Sequence, residues 1–539
     1  MVTGREVGES FDRRRLAGSR QKKESPSAEG TCSNPGMRQV AALGVLLLGT
    51  FLQPAPSQGK DWFLTIGGGY SPSGNQISIE KNIAFFQGVL AKNAVSGDSH
   101  ELLFSDGKAP GRDVQFEPAK SRIPKANLYF AKVFSSDRNL HLEYRDHQLV
   151  GVDAPTSVGA IETWFRETGS ELTPGDRVIV YVSAHGGRSA DKKNPHDTKL
   201  YLWNTKVLYA KRFADLIKGL PDGVAVVMVM TQCYSGGYAH TLFEEANAKK
   251  GDQGRPVAGF FSTVHNRMAA GCTPDINEEN YDEYSSHFLA AIHGATRTGK
   301  QITVPDYDED GGVSFEEAHA YTILESQTID IPIKTSGAYL RERAKFGGEE
   351  NPALLEKGAG WETVRSLARP VDAVVLDRLS ESLQLSGEAR HADATKKAAE
   401  VDKERKDLLN VDKAKKRTWD SAKSEIRNAF IAQWPEMSNL ATPEAIGLIA
   451  DSPERIVEIV ESHPRFSEWK RIEKERDQNE AERLVLEKKW VQYQRFLRCF
   501  ENVVLEENLK RAGDPGALAN YERILREEAK SLGGSKLAP

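Results

Sequence analysis

The sequence predicts an α/β domain, three layers with a mostly parallel sheet between helices, followed by a C-terminal α-helical region. Three observations lead there. Between residues 60 and 345, short apolar runs alternate with amphipathic stretches. Two of those runs, VIVYVS at 178–183 and VAVVMVM at 224–230, are apolar throughout, as strands covered on both faces must be. From about 350 the chain turns to Lys, Glu, Arg, Ala and Leu with few β-branched runs.

Residues 1–36 are polar, basic and aperiodic, and read as an unstructured or mis-assigned extension. Residues 37–57 read as a signal peptide: Arg38, an apolar run from Val40 to Leu52, then small residues up to Ser57. That run is short beside the about 20 residues a bilayer span needs, so export is expected and a stable membrane span is not. A net charge of −5 offers no basic excess for a phosphate backbone, which argues against a general nucleic-acid binder.

The expected strands are Trp62–Ile66, Glu101–Phe104, Val178–Ser183, Val224–Met230 and Val257–Val264, with helices such as Ser157–Glu167 and Ala210–Lys218 between them. Residues 346–376 read as a linker and 377–539 as a helical, partly coiled-coil domain, a candidate surface for a protein partner. In it, Trp490, Tyr493, Leu497, Phe500 and Val504 recur at spacings of three and four, one core-facing stripe of a helix.

The chemistry sits after two strands. The third strand delivers His185 into a Gly-Gly turn, and the fourth delivers Cys233 into the turn CYSGG. In open parallel sheets, sites form at the C-terminal strand ends. A thiol there needs an imidazole to become a thiolate near neutral pH. Gly186, lacking a Cβ, lets its N–H approach a substrate carbonyl, so Gly186 and Cys233 are the expected oxyanion-hole donors. Competing readings fail on sequence. Gly67–Gly69 is followed by Pro72 where a dinucleotide-binding helix should open, and Ser235 lies outside a G-x-S-x-G elbow. His265 also closes a strand and reads as a packing histidine. Cys272 is a candidate for the substrate pocket.

Strand–His-Gly followed by strand–Gln-Cys-x-x-Gly resembles the caspase/legumain clan of cysteine peptidases over roughly residues 60–345, and is most similar to bacterial legumain-like proteins. The resemblance implies a caspase-like three-layer fold and hydrolysis of a protein or peptide substrate by a Cys233–His185 dyad. It also implies a loop asparagine orienting the histidine, for which Asn75 stands at the matching position. Ala184, Gln232, Tyr234 and Ile77 replace residues that legumain uses around its site, so its asparagine specificity is not implied. The alternative reading is a catalytically silent scaffold of the cell envelope.

The segment DYDEDGGVSFEE matches an EF-hand loop, with Asp306, Asp308, Asp310 and Glu317 at the carboxylate positions and Gly311 at the sharp turn. Gly312 through its carbonyl and Ser314 through a water are the remaining expected Ca²⁺ contacts. A single loop reads as a structural clip.

Overall fold

A computed structural model describes residues 59–95, 99–119 and 123–534. The signal-peptide and extension readings lie outside the described residues. Among those described, no helix is long and apolar enough to cross a membrane.

The central sheet contains β1 (Asp61–Gly68), β2 (His100–Phe104), β3 (Arg177–Ala184), β4 (Ala225–Met230), β5 (Val257–Phe261) and β6 (Ile333–Lys334). Their order is β6-β5-β4-β3-β1-β2, parallel except for β6. The unbroken apolar runs have a simple cause. Val178, Val180 and Val182 of β3 and Met228 of β4 face one apolar core, while Ile179, Tyr181, Val227 and Val229 face another.

Helices α1 (Ile77–Lys92), α2 (Lys125–Phe134), α3 (Val158–Arg166), α4 (Ala210–Lys218), α5 (Tyr284–His293), α6 (Phe315–Glu325) and α7 (Thr335–Arg343) belong to this half of the chain. Of these, α3, α4 and α7 cover the first face and α1, α5 and α6 the second, which makes three layers.

The helical region contains α8 (Trp361–Leu367), α9 (Pro370–Ser382), α10 (Arg390–Gln433), α11 (Pro443–Asp451), α12 (Pro453–Ser462), α13 (Phe466–Ala512) and α14 (Pro515–Glu528). The expected linker is therefore corrected from residue 361 onward. Trp361, Val364 and Val371 are apolar, sit at helical spacing and are buried against α13. Ion pairs Arg405–Glu487, Asp412–Arg476 and Glu425–Arg465 run in opposite senses along α10 and α13, so the two long helices are antiparallel. The stripe on α13 is core as expected: Tyr493, Leu497, Phe500 and Val504 are buried, with Trp490 packed beside them.

The described residues, from 59 to 534, belong to one compact unit. Leu505 and Leu509 of α13 and Ala517, Tyr521 and Ile524 of α14 complete the core under the sheet's first face. At the other end, α2 packs against α10, α12 and Trp469.

Candidate active site

The β3–β4 register pairs Val182 with Met230. Extended by three residues, it sets His185 opposite Cys233 at one sheet edge, and the Thr231 N–H still donates to the Val182 carbonyl at 3.1 Å. Past Cys233 the chain bends sharply. Tyr234 adopts φ +61°, a left-handed conformation costing about 1–2 kcal/mol for a residue with a side chain. The glycines there follow from close approach. A Cβ on Gly186 would stand 1.9 Å from the Cys233 carbonyl oxygen, and one on Gly237 would stand 2.2 Å from Thr198 Oγ1. The histidine and cysteine turns thus touch through backbone.

His185 Nε2 lies 2.7 Å from the Gly74 carbonyl oxygen and 2.9 Å from Gln76 Oε1. A carbonyl only accepts, so Nε2 carries the proton and Nδ1 is left with its lone pair. Tyr70 packs on the ring, with centroids 5.4 Å apart. Burial pulls the imidazole below its usual pKa, opposed by the Gly74 carbonyl.

The Cys233 sulfur accepts the Ala269 N–H at 3.3 Å. No hydrogen bond joins it to His185 in this conformation. Burial raises the thiol, with the Ala269 backbone opposing and the Asp330 charge adding to the rise. Both shifts favour the uncharged pair, thiol beside neutral imidazole. The Cys233 N–H donates to no backbone carbonyl. The Tyr201 N–H bonds the His185 carbonyl, so the next pair, Gly186–Leu200, is a non-bonded pair of that ladder and turns the Gly186 N–H outward.

The role expected of Asn75 is corrected. It is fully buried, and its side chain accepts the Gly69 N–H at 3.0 Å and donates to Ser105 Oγ and the Asp113 carbonyl. It braces the loop whose Gly74 carbonyl holds His185 and makes no side-chain hydrogen bond to the imidazole. Sequence reasoning missed Gly74, because a backbone acceptor leaves no side-chain signature, and Gln76, which adjoins the asparagine. It also missed Asp330, buried with one oxygen accepting the Ala270 N–H at 2.7 Å and the other unpartnered. Ile77 is buried at the start of α1 and packs in the second core. Cys272 is a free thiol held high by burial, with Cys233 next among the causes.

No family model matches the chain, and no curated protein matches it. A crystal structure of a protein from Geobacter sulfurreducens aligns with 48% of this chain and 88% of its own length, at 12% identity and TM-score 0.28. That likeness bears on neither fold nor activity.

In the acidic loop, oxygens of Asp306, Asp308 and Glu317 come within 4.8 Å of one another, and Gly311 takes φ +83° at the sharp turn. These three fit a hard divalent cation. Asp310, expected beside them, falls outside the group. One of its oxygens accepts the Gly312 N–H at 2.8 Å. Ser314 caps α6 in a capping box with Glu317, whose oxygens also accept the Tyr307 and Asp308 N–H groups.

Proposed function

We propose that this chain is a cysteine endopeptidase of caspase/legumain type, exported, acting through Cys233 and His185. The observation that carries the reading is the 2.7 Å contact of His185 Nε2 with the Gly74 carbonyl oxygen, which assigns the proton to Nε2. Its Nε2–H is tied to the Gly74 carbonyl, and its Nδ1 lone pair is free at the strand end beside the one that bears the thiol. In the proposed reaction, the sulfur leaves the Ala269 N–H by rotation about its side-chain bond and passes its proton to Nδ1. The thiolate attacks the scissile carbonyl, and the Gly186 and Cys233 N–H groups stabilise the oxyanion, about 3 kcal/mol for each donor. His185 returns the proton to the leaving amine, and water releases the acyl group from the thioester. A protein or peptide is the substrate.

Calcium is proposed for Asp306, Asp308 and Glu317, where it would fix the loop that leads into α6. The scaffold reading draws on one observation, a buried thiol bonded to Ala269 and not to the imidazole. Labelling by an electrophilic peptide probe separates the two. The expected outcome is labelling that Cys233→Ala abolishes and His185→Ala reduces by at least about 100-fold. Labelling that persists in Cys233→Ala removes the sulfur from the role. A protein that is never labelled, with or without calcium, favours the scaffold.

A further inference from the structure

Three of the twelve histidines in the chain converge away from His185. The rings of His196 and His240 stack with centroids 3.4 Å apart and planes 17° apart, and the His265 ring lies 4.2 Å from His196. His240 Nε2 is 3.2 Å from Glu342 Oε1. Ligand atoms of His196, His240 and Glu342 all fall within 4.8 Å of one another.

The cluster is not satisfied by the protein. His240 is only 5% exposed, and the Nδ1 atoms of both His196 and His240 are buried without a partner. Each such atom costs about 1–3 kcal/mol, and pairs of them in a native fold call for an explanation.

We propose that His196, His240 and Glu342, with His265 as the adjoining fourth ligand, form a binding site for a divalent transition-metal ion of the zinc type. Imidazole nitrogens with one carboxylate are donors of borderline softness, suited to Zn²⁺ and poorly suited to Ca²⁺. A tetrahedral ion with bonds near 2.0–2.1 Å needs its donors roughly 3.4 Å apart and lying in the planes of their rings, so binding requires the stacked His196 and His240 rings to turn out of their stack. The site opens on a cavity of about 160 Å³, which gives an ion a way in. Lys334, Arg341, Arg495 and Arg498 line the same cavity, and the carboxylates of Glu316, Glu342 and Asp372 line it with them.

The position gives the ion a task beyond the proposed peptidase chemistry. His196 belongs to the loop after His185, and His240 to the turn of helix, Ser235–Leu242, after Cys233. His265 belongs to the loop whose Ala269 N–H meets the Cys233 sulfur, and Glu342 to α7. One ion fastens all three loops around the strand ends.

The test uses full-length Cys233→Ala protein, so that the thiol contributes no ligand, stripped by chelator and titrated with Zn²⁺ or Co²⁺. Expected are one metal per chain, a raised thermal midpoint reversed by chelator, and the intense visible absorption of four-coordinate Co²⁺. Ca²⁺ should not compete. Glu342→Gln, at a position about one-third exposed and so safe for folding, and His240→Ala should each weaken binding by more than about 100-fold. No bound metal, a weak six-coordinate cobalt spectrum, or unchanged affinity in both variants overturns the proposal. So does stabilisation by inorganic phosphate in place of metal, which would make the cluster an anion site centred on Arg498. None of these readouts depends on peptidase activity.

Discussion

In the sheet half, β3 and β4 pair their backbone groups along ladders, and their side chains need only be apolar to fill the two cores. In the helical half, the buried stretch of α13 is full of polar groups aimed at the sheet half. Arg495 donates to the carbonyls of Ile323, Ser326 and Asp330 and to Thr328 Oγ1. Asn508 bridges Lys345 and Leu355, and Glu501 accepts from Arg341. Buried Glu316 and Glu528, with half-buried Lys334 and Arg369, link β6 and α6 to α14 and to the residue that opens α9. Strands carry their own hydrogen-bond partners, whereas this helical region adds directed polar contacts to the apolar side chains it buries. Such contacts have value only when both halves are present.

The largest test of that contrast is truncation. A chain ending at residue 345 loses Leu505, Leu509, Tyr521 and Ile524 from the sheet's own core. It is expected to show no cooperative unfolding transition in denaturant, and a normal transition would make the helical region a separable appendage. Next comes Arg495→Met, which fills similar volume but leaves three carbonyls without their donor. A loss of about 3–5 kcal/mol is expected in urea unfolding. A loss below about 1 kcal/mol would mean that the loop 323–330 is held by other contacts.

Asp330 sharpens the comparison through pH. Burial pushes its carboxyl up to about 7, with the Ala270 N–H and Arg495 opposing the rise. Between the ordinary value of 3.8 and about 7, the folded protein keeps a proton that the unfolded chain has released. Stability therefore falls with rising pH across that window and is level on either side. Asp330→Asn should remove about 2–4 kcal/mol of that fall. Glu528, also raised to about 7 by burial with Lys334 opposing, leaves a residual slope. An unaltered pH profile in Asp330→Asn would contradict the assignment. The smallest effect belongs to the exposed arm of α10. There the Lys403–Asp407 pair is open to water, and a double-mutant cycle should return under about 0.5 kcal/mol.

These polar ties also reach the candidate site. Arg495 holds the Asp330 carbonyl, the Asp330 carboxyl holds the Ala270 N–H, and the neighbouring Ala269 N–H holds the Cys233 sulfur. Arg267, in the same loop, pairs with Glu487 and lies over the Trp490 ring of α13 at 4.9 Å. The helical region therefore sets the resting position of the loop against the thiol.

The sequence by itself determined five of the sheet's six strands, its buried centre, the change to helix in the C-terminal region and the delivery of His185 and Cys233 to one edge; the antiparallel Ile333–Lys334 strand it did not show. Those features follow from local periodicity and from glycines placed where backbone must approach backbone. Only the tertiary structure decided that a Gly74 carbonyl, and not Asn75, holds the imidazole. It alone put Trp361, Val364, Val371, Val375 and Leu376 in the core and brought His196, His240 and Glu342 together from separate elements. Backbone acceptors and long-range convergence have no period along the chain. They exist only once distant segments are packed, since a carbonyl looks the same in every sequence and a histidine cluster is made by space.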